Sequence, residues 1–443
     1  MINQYMLIER SLGLRGQVEL VGAKNAVLVT MASLILTEGK STLRNVPNSQ
    51  DVLNMMALLQ DLGAQVSFSS EDHILEVDTS RISKCKVKHD LLKKMRASVL
   101  VMGPLLARFG KAELVSPGGC VIGARPINYH LINFEKMGVT VEQQGSYISA
   151  YAAKLISGKL VLEYPSVGAT ENLLMAATLT KGTTRIVNAA LEPEVFDLIS
   201  VLKKMGAKIS VLPPATIEIE GVTQLLPVDH FVTFDRLEAG ALLLAAAATG
   251  GELYLPQASG ANLDMVLMKL QEMGHCIEVG DHDIGIRIKA TAHPRAVSFK
   301  TAPYPGFPTD LQAPMMALQC IAEGRSVIEE TVYENRLLHV HELRKMGAQI
   351  KVEHNTAIVT GVEELYGANI IATDIRASCA LVLAGMMAQG TTILTGLHHF
   401  RRGYEALDKK LIALGAKIES HEVDEALIPD ALKMRNYKTR LYR

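Results

Sequence analysis

Two kinds of helical pattern alternate along the chain. The first is apolar on nearly every side: KNAVLVTMASLIL, RASVLVMGPLLA, ENLLMAATL, LEAGALLLAAAA, LQAPMMALQCIA and RASCALVLAGMMA are rich in small residues and almost free of charge. A helix without a polar face is predicted to be buried all round. The second kind, such as DVLNMMALLQDLG, keeps an apolar stripe and a polar face and is predicted to lie outside. Each of these ends on a Met-Gly or Leu-Gly step and runs into an alternating strand, as in LQDLGAQVSF, FEKMGVTVEQ, LKKMGAKISV, LQEMGHCIEV, LRKMGAQIKV and LIALGAKIES.

The glycines of that step, Gly63, Gly138, Gly206, Gly274, Gly347 and Gly415, recur every 68 to 75 residues and read as left-handed helix caps. A second set, Gly39, Gly110, Gly182, Gly251, Gly324 and Gly390, lies 23 to 28 residues upstream and opens a β-rich stretch. The unit is therefore strand, buried helix, strand, amphipathic helix and strand pair, repeated six times. One unit cannot cover its own apolar helix. A three-plus-three grouping into two α/β domains with mixed sheets follows, with the cleft between them as the natural binding place.

Composition narrows the class. The chain has 443 residues, 48% hydrophobic and 21% charged, which excludes disordered, collagen-like and disulfide-scaffold proteins. Lys+Arg 45 against Asp+Glu 46 gives a net charge of -1, so nothing draws the whole molecule to nucleic acid or to an anionic membrane surface. Five cysteines without a CxxC pair point to a reducing compartment, and the start MINQYMLIERS lacks a signal-like core. The longest apolar run, Ala239 to Ala248, is far short of the ~20 residues needed to span a bilayer. The expectation is a cytoplasmic protein.

The buried helices begin at Gly22-Ala23-Lys24-Asn25, Lys94-Met95-Arg96, Val167-Gly168-Ala169-Thr170, Phe234-Asp235-Arg236, Pro308-Thr309-Asp310 and Asp374-Ile375-Arg376. Four of the six heads carry a cation, although a cation opposes the helix dipole by roughly 0.3 to 1 kcal/mol. Either Arg236 and Arg376 pair with Asp235 and Asp374 or reach solvent, or the heads converge on bound anions. Repetition of the cation favours an anion-binding cleft for a substrate bearing phosphate, carboxylate or both. No GxxxxGK or strand-to-helix GxGxxG explains it. His339 with His341 lacks metal-ligand spacing, and His398-His399 reads as a strand pair with diverging side chains, so no metal is expected.

Between upstream glycine and cap the second repeat has 28 residues where the others have 23 to 25. The excess falls on Ser116-Pro117-Gly118-Gly119-Cys120-Val121-Ile122-Gly123-Ala124-Arg125-Pro126, a glycine-hinged loop of the kind that forms lids. Its Cys120 thiol, ordinarily of pKa ~8.5 and easily ionised near Arg125, can serve as acid or nucleophile. Cys276, Cys320 and Cys379 read as core or strand packing.

GAKNA at 22 to 26, PGGCVIGARP at 117 to 126, SVGATEN at 166 to 172, FPTDLQ at 307 to 312, ENR at 334 to 336, DIRAS at 374 to 378 and RGYE at 402 to 405 together resemble the UDP-N-acetylglucosamine 1-carboxyvinyltransferase family, as far as about Ser420. The resemblance implies a two-domain inside-out α/β barrel built from six repeats of about 70 residues, three per domain. The domains would be 22–231, carrying the Cys120 loop, and 1–21 plus 232–420, with 421–443 as a C-terminal extension. It also implies transfer of the enolpyruvyl group of phosphoenolpyruvate to the 3'-hydroxyl of UDP-N-acetylglucosamine, with release of phosphate, by addition and elimination through a tetrahedral ketal.

By the same resemblance Cys120 donates the proton to the alkene and Asp310 acts as general base, with Lys24 and Arg402 completing the catalytic set. Lys24, Asn25, Arg125, Arg336, Arg376 and Arg402 would hold phosphoenolpyruvate. Asn25, Arg96, Arg125, Pro126, Ile127, Asn128, Tyr129, Tyr164, Pro165, Ser166, Val167, Asp310 and Val332 would line the UDP-sugar. No metal, cofactor, nucleic acid or membrane span is implied, and oligomeric state stays open. Two competing readings are a transferase acting on shikimate 3-phosphate, which the GGCxxGAR loop disfavours, and a non-catalytic UDP-sugar binder, for which Cys120 and Asp310 would be superfluous.

Overall fold

The computed structural model describes residues 2–87, 95–115, 122–123 and 127–424; Cys120, Arg125, Pro126 and residues 425–443 of the C-terminal extension lie outside them. Six sheets are present among the described residues, five of four strands and one of three. In the third unit, strand Lys159–Val161 runs parallel to Thr183–Val187, which pairs antiparallel with Thr216–Glu220, itself paired with Lys208–Leu212. The buried helix Val167–Thr178 joins the first two strands and the amphipathic helix Pro193–Lys204 leads to the hairpin. The other units repeat this order, with a single bridge at Lys86 standing for the first strand of the second.

All six predicted cap glycines have positive φ, between 82° and 112°. The charge-free helices are interior, with every residue of Gln312–Gln319 buried and Asn25 the one unburied residue of Lys24–Ser33. Their small residues allow close crossings: a Cβ on Gly103 would stand 2.2 Å from the Asn172 carbonyl oxygen. Two of these helices start as 3-10 turns, Arg96–Val101 before Met102–Phe109 and Thr309–Leu311 before Gln312–Gln319. Pro104 and Pro314 occupy equivalent third positions of the α-helices, where a missing N–H is tolerated only within the first turn.

Two hydrophobic cores form. One uses buried residues from Ala23 to Val232, the other Met6 to Leu20 together with Leu237 to Ile418. Strands from distant parts of the chain complete the units. Asp229–Phe231 opens the first unit by pairing parallel with Lys40–Arg44. Arg15–Gln17 opens the fourth against Glu252–Ser259, and Ile2–Glu9 closes the sixth against Thr391–Thr395 and Lys417–Asp424. This last pairing extends to Asp424, so residues 421–424, assigned to the extension, belong to the sheet. Their polar sequence, HEVD, hid that because one face of this edge strand needs no apolar residue.

The chain passes between the cores twice, and the crossings are bonded together. Ala23 N donates to Thr233 O at 2.8 Å and Asp235 N to Val21 O at 2.9 Å. Only glycine fits at position 22, because a Cβ there would lie 1.9 Å from the Asn45 carbonyl oxygen. The crossing thus sets Lys24 and Arg236, one in each core's share of the chain, just beyond the paired strands. Among the described residues no helix is long and apolar enough to cross a membrane.

Candidate active site

Lys24 lies in the first turn of its buried helix, and its Nζ is 3.1 Å from Asp51 Oδ2. Asp51 occupies the first turn of Gln50–Leu62, where the helix dipole favours a carboxylate. Its other oxygen, Oδ1, accepts from Arg402 Nε at 3.1 Å. Lys24 and Asp51 belong to one core's share of the chain and Arg402 to the other's, so this carboxylate ties the two halves. The Asp51 side chain is 5% exposed and Lys24 11%, whereas Arg402 is 31% exposed.

Asp310 sits in the 3-10 turn that heads Gln312–Gln319. Arg336 Nη2 contacts its Oδ1 at 2.7 Å and Arg376 Nη2 its Oδ2 at 2.8 Å. Burial pushes the carboxyl upward, but Arg376 and Arg336 outweigh it and hold Asp310 well below the usual carboxylate range. The two arginines are 5% and 4% exposed, and each leaves a buried nitrogen, Arg336 Nε and Arg376 Nη1, without a partner. Their guanidinium planes rest near Tyr333 and Tyr404, 5.0 and 5.1 Å from the ring centroids.

Neither neighbouring aspartate neutralises its arginine. Asp235 Oδ1 caps the backbone of Leu237 and Glu238, and Asp374 Oδ1 that of Arg376 and Ala377. Arg236 pairs instead with Glu194 across the cores, Nε to Oε1 at 3.0 Å and Nη2 to Oε2 at 3.2 Å. The local-pairing alternative is thereby excluded: a helix head has unpaired N–H groups, and the adjacent carboxylate satisfies those first. Arg236 is thereby committed to a structural tie. Asp235 Oδ2 also accepts the backbone N–H of Lys24 at 3.3 Å, which ties the head of the Lys24 helix to that of the Arg236 helix.

The residues expected around a UDP-sugar are placed as follows. Asn25 is exposed beside Lys24. Arg96 faces His130, whose ring burial holds at a pKa of about 4 with Arg96 adding to the depression. Ser166 caps the Val167–Thr178 helix, its Oγ accepting from Ala169 N at 3.4 Å, and Tyr164, Pro165 and Val167 flank it half-buried. Ile127 is buried, Asn128 exposed and Tyr129 half-buried. Burial pushes the Tyr164 phenol up to about 12, and Tyr333, Glu192, Glu330 and Tyr129 around it add to the shift. Ile122 O accepts from Asn335 N at 3.1 Å, which joins this end of the cysteine loop to the ENR segment.

The structure thus gathers Lys24 and Arg402 on Asp51, and Arg336 and Arg376 on Asp310; Tyr404, which packs on Arg376, also lines a small pocket beside Lys24. Sequence reasoning missed Asp51, Glu194 and Glu330, which sit where acids ordinarily complement a helix start or end a strand. His398 and His399 are in helix Leu397–Gly403, not a strand, and their ring centroids lie 4.0 Å apart with the planes tilted by 38°, because the sixth unit has a helix where the pattern suggested extended chain. Among the described residues no group of His, Cys, Asp and Glu could hold a metal ion.

The family model for EPSP synthase (3-phosphoshikimate 1-carboxyvinyltransferase) matches residues 8–411. A UDP-N-acetylglucosamine 1-carboxyvinyltransferase of Thermodesulfovibrio yellowstonii is 46% identical over 94% of this chain and 99% of its own length. Its counterpart in Cellvibrio japonicus is 47% identical over 93% and 98%. Among solved structures, the enolpyruvyl transferase NikO from Streptomyces tendae superposes with a TM-score of 0.86 at 25% identity, covering 95% of this chain and all (100%) of that one. EPSP synthase from Acinetobacter baumannii does so with 0.75 at 16% identity, again over 95% and 100%, which bears on the fold alone.

Proposed function

The chain belongs to the UDP-N-acetylglucosamine 1-carboxyvinyltransferases, within the enolpyruvyl transferase family, and from this premise we propose how its own residues carry the reaction. It is an enzyme that transfers the enolpyruvyl group of phosphoenolpyruvate to the 3'-hydroxyl of UDP-N-acetylglucosamine and releases phosphate. This is the first committed step of peptidoglycan precursor synthesis, and in this reading it takes place in the cytoplasm.

The observation that supports the assignment of roles is the presence of two cation pairs, Lys24 with Arg402 around Asp51 and Arg336 with Arg376 around Asp310. Phosphoenolpyruvate bears a phosphate and a carboxylate, and two clusters of cations match two anionic groups. Lys24 and Arg402, with Arg125 from the loop, take the phosphoenolpyruvate anion; Arg336 and Arg376 add positive field where charge develops. Asn25, Arg96 and the helix start at Ser166 and Val167 take the UDP-sugar, using free backbone donors toward its diphosphate.

Asp310 is a weak base while both of its oxygens hold guanidinium groups. An anion that draws Arg336 or Arg376 toward itself restores its basicity, so proton removal from the sugar hydroxyl is timed to a filled site. Cys120 gives a proton to C3 of the alkene, C2 becomes electrophilic, and the sugar oxygen adds there. Loss of a C3 proton from the ketal then expels phosphate. The two cores act as domains, 22–231 and 1–21 with 232–420, that close as the anions neutralise the facing cations.

The test is phosphate release from phosphoenolpyruvate with either UDP-N-acetylglucosamine or shikimate 3-phosphate as acceptor. Turnover with the UDP-sugar alone is expected. Turnover with shikimate 3-phosphate would transfer the chain to its fold relatives, and turnover with neither would make it a UDP-sugar binder.

A further inference from the structure

Glu330, 2% exposed, follows strand Arg325–Glu329 and has both carboxylate oxygens occupied. Oε1 accepts from the backbone N–H of Val332 at 2.8 Å and of Tyr333 at 3.1 Å. Oε2 accepts from the Thr309 hydroxyl at 2.9 Å. The same hydroxyl oxygen accepts from Arg336 Nη1 at 2.9 Å. The other terminal nitrogen of that guanidinium, Nη2, holds Asp310 Oδ1 at 2.7 Å.

The direction of each bond is forced. Arginine only donates and a carboxylate only accepts, so Thr309 must accept from Arg336 and give its single proton to Glu330. A planar guanidinium fixed at Nη1 cannot turn at Nη2 without breaking the first bond. The backbone supports the arrangement independently: Glu330 N donates to Asn355 O at 2.9 Å, and Asn355 Nδ2 returns a bond to Glu330 O at 3.0 Å.

We propose that Thr309 and Glu330 are positioning residues for the general base: the bond sequence Glu330, Thr309, Arg336 fixes the guanidinium edge that presents Asp310, while the same Glu330 carboxylate anchors the Val332–Tyr333 segment of the sugar wall. The inference rests on the base role given to Asp310 above. One buried carboxylate thus sets base and acceptor-binding segment in a common frame, and small errors in that frame are costly to a positioned proton transfer.

The experiment compares Thr309→Val, Thr309→Ser and Glu330→Gln in the full chain, with kcat, both KM values and melting temperature. Thr309→Val keeps shape and removes the hydroxyl. It should lower kcat about tenfold or more, the size expected for losing a hydrogen bond to a charged group, with KM for phosphoenolpyruvate within about twofold. Thr309→Ser should restore kcat to within about twofold of wild type. Glu330→Gln, which reverses the polarity of the link to Thr309, should lower kcat in the same direction. In an Asp310→Asn background Thr309→Val should add less than about twofold, because its effect passes through Asp310.

Wild-type kcat in Thr309→Val, an equal loss in Thr309→Ser, or full multiplication of losses in the double variant would each overturn the proposal. A wild-type enzyme with no turnover on either acceptor would instead remove the functional reading beneath it.

Discussion

Asp51 and Asp310 each hold two cations, but the first joins side chains from both cores and the second only side chains of one. Asp51 is 5% exposed on a regular helix and keeps both oxygens engaged, one by Lys24 of its own core and one by Arg402 of the other, so it is a fixed counter-ion that brings the two cations to the same point. Asp310 is 23% exposed on a 3-10 turn, where the proposed mechanism has a ligand draw its arginines away. Similar local chemistry therefore separates by burial and backbone into a tie between halves and, in the proposed mechanism, a general base.

The largest expected effect breaks the second member of this comparison. Asp310→Asn should lower kcat by about a thousandfold, within the range for loss of a general base, and change the melting temperature little. A stable variant with kcat within tenfold of wild type would take the base role from Asp310. Asp51→Asn should act on stability instead: a buried pair that loses one partner is weakened by about 3 kcal/mol, read from a denaturant melt. An unchanged midpoint would mean that the tie is dispensable.

Arg402→Ala sharpens the contrast from the other side. Loss of a charge-assisted contact of about 1.5 to 3 kcal/mol should raise the dissociation constant for phosphoenolpyruvate at least about tenfold by calorimetry, with that for the UDP-sugar unchanged. Equal losses of both would contradict its assignment. The smallest effect separates the clamps from acid lability. His130 has a folded pKa of about 4 against about 6.5 unfolded, so the unfolded chain takes up its proton first and stability falls as pH drops from 6.5 toward 4. Between pH 6.5 and 5 this should amount to roughly 1 to 2 kcal/mol. His130→Gln should flatten that slope, whereas Asp310, titrating far lower, should leave it unaltered.

Periodicity made the buried helices and their caps legible, because an all-round apolar helix and a glycine step are local signals. The strands that finish the units were not legible. Ile2–Glu9, Arg15–Gln17 and Asp229–Phe231 pair across hundreds of residues of chain, and no local pattern records a long-range partner. The cations at the helix heads stood out since they oppose a dipole. Their partners Asp51 and Glu194 were hidden since acids at a helix start agree with it. Thr309 was visible within FPTDLQ, but its bond to Glu330 depends on a turn 21 residues further along the chain.

The most direct test of the account is the product of the wild-type reaction with phosphoenolpyruvate and UDP-N-acetylglucosamine, followed by mass spectrometry alongside released phosphate. One enolpyruvyl-bearing UDP-sugar should form for each phosphate set free. Phosphate released without that product, as from simple hydrolysis, would contradict the convergence of base, acid and anion clamps on the sugar hydroxyl.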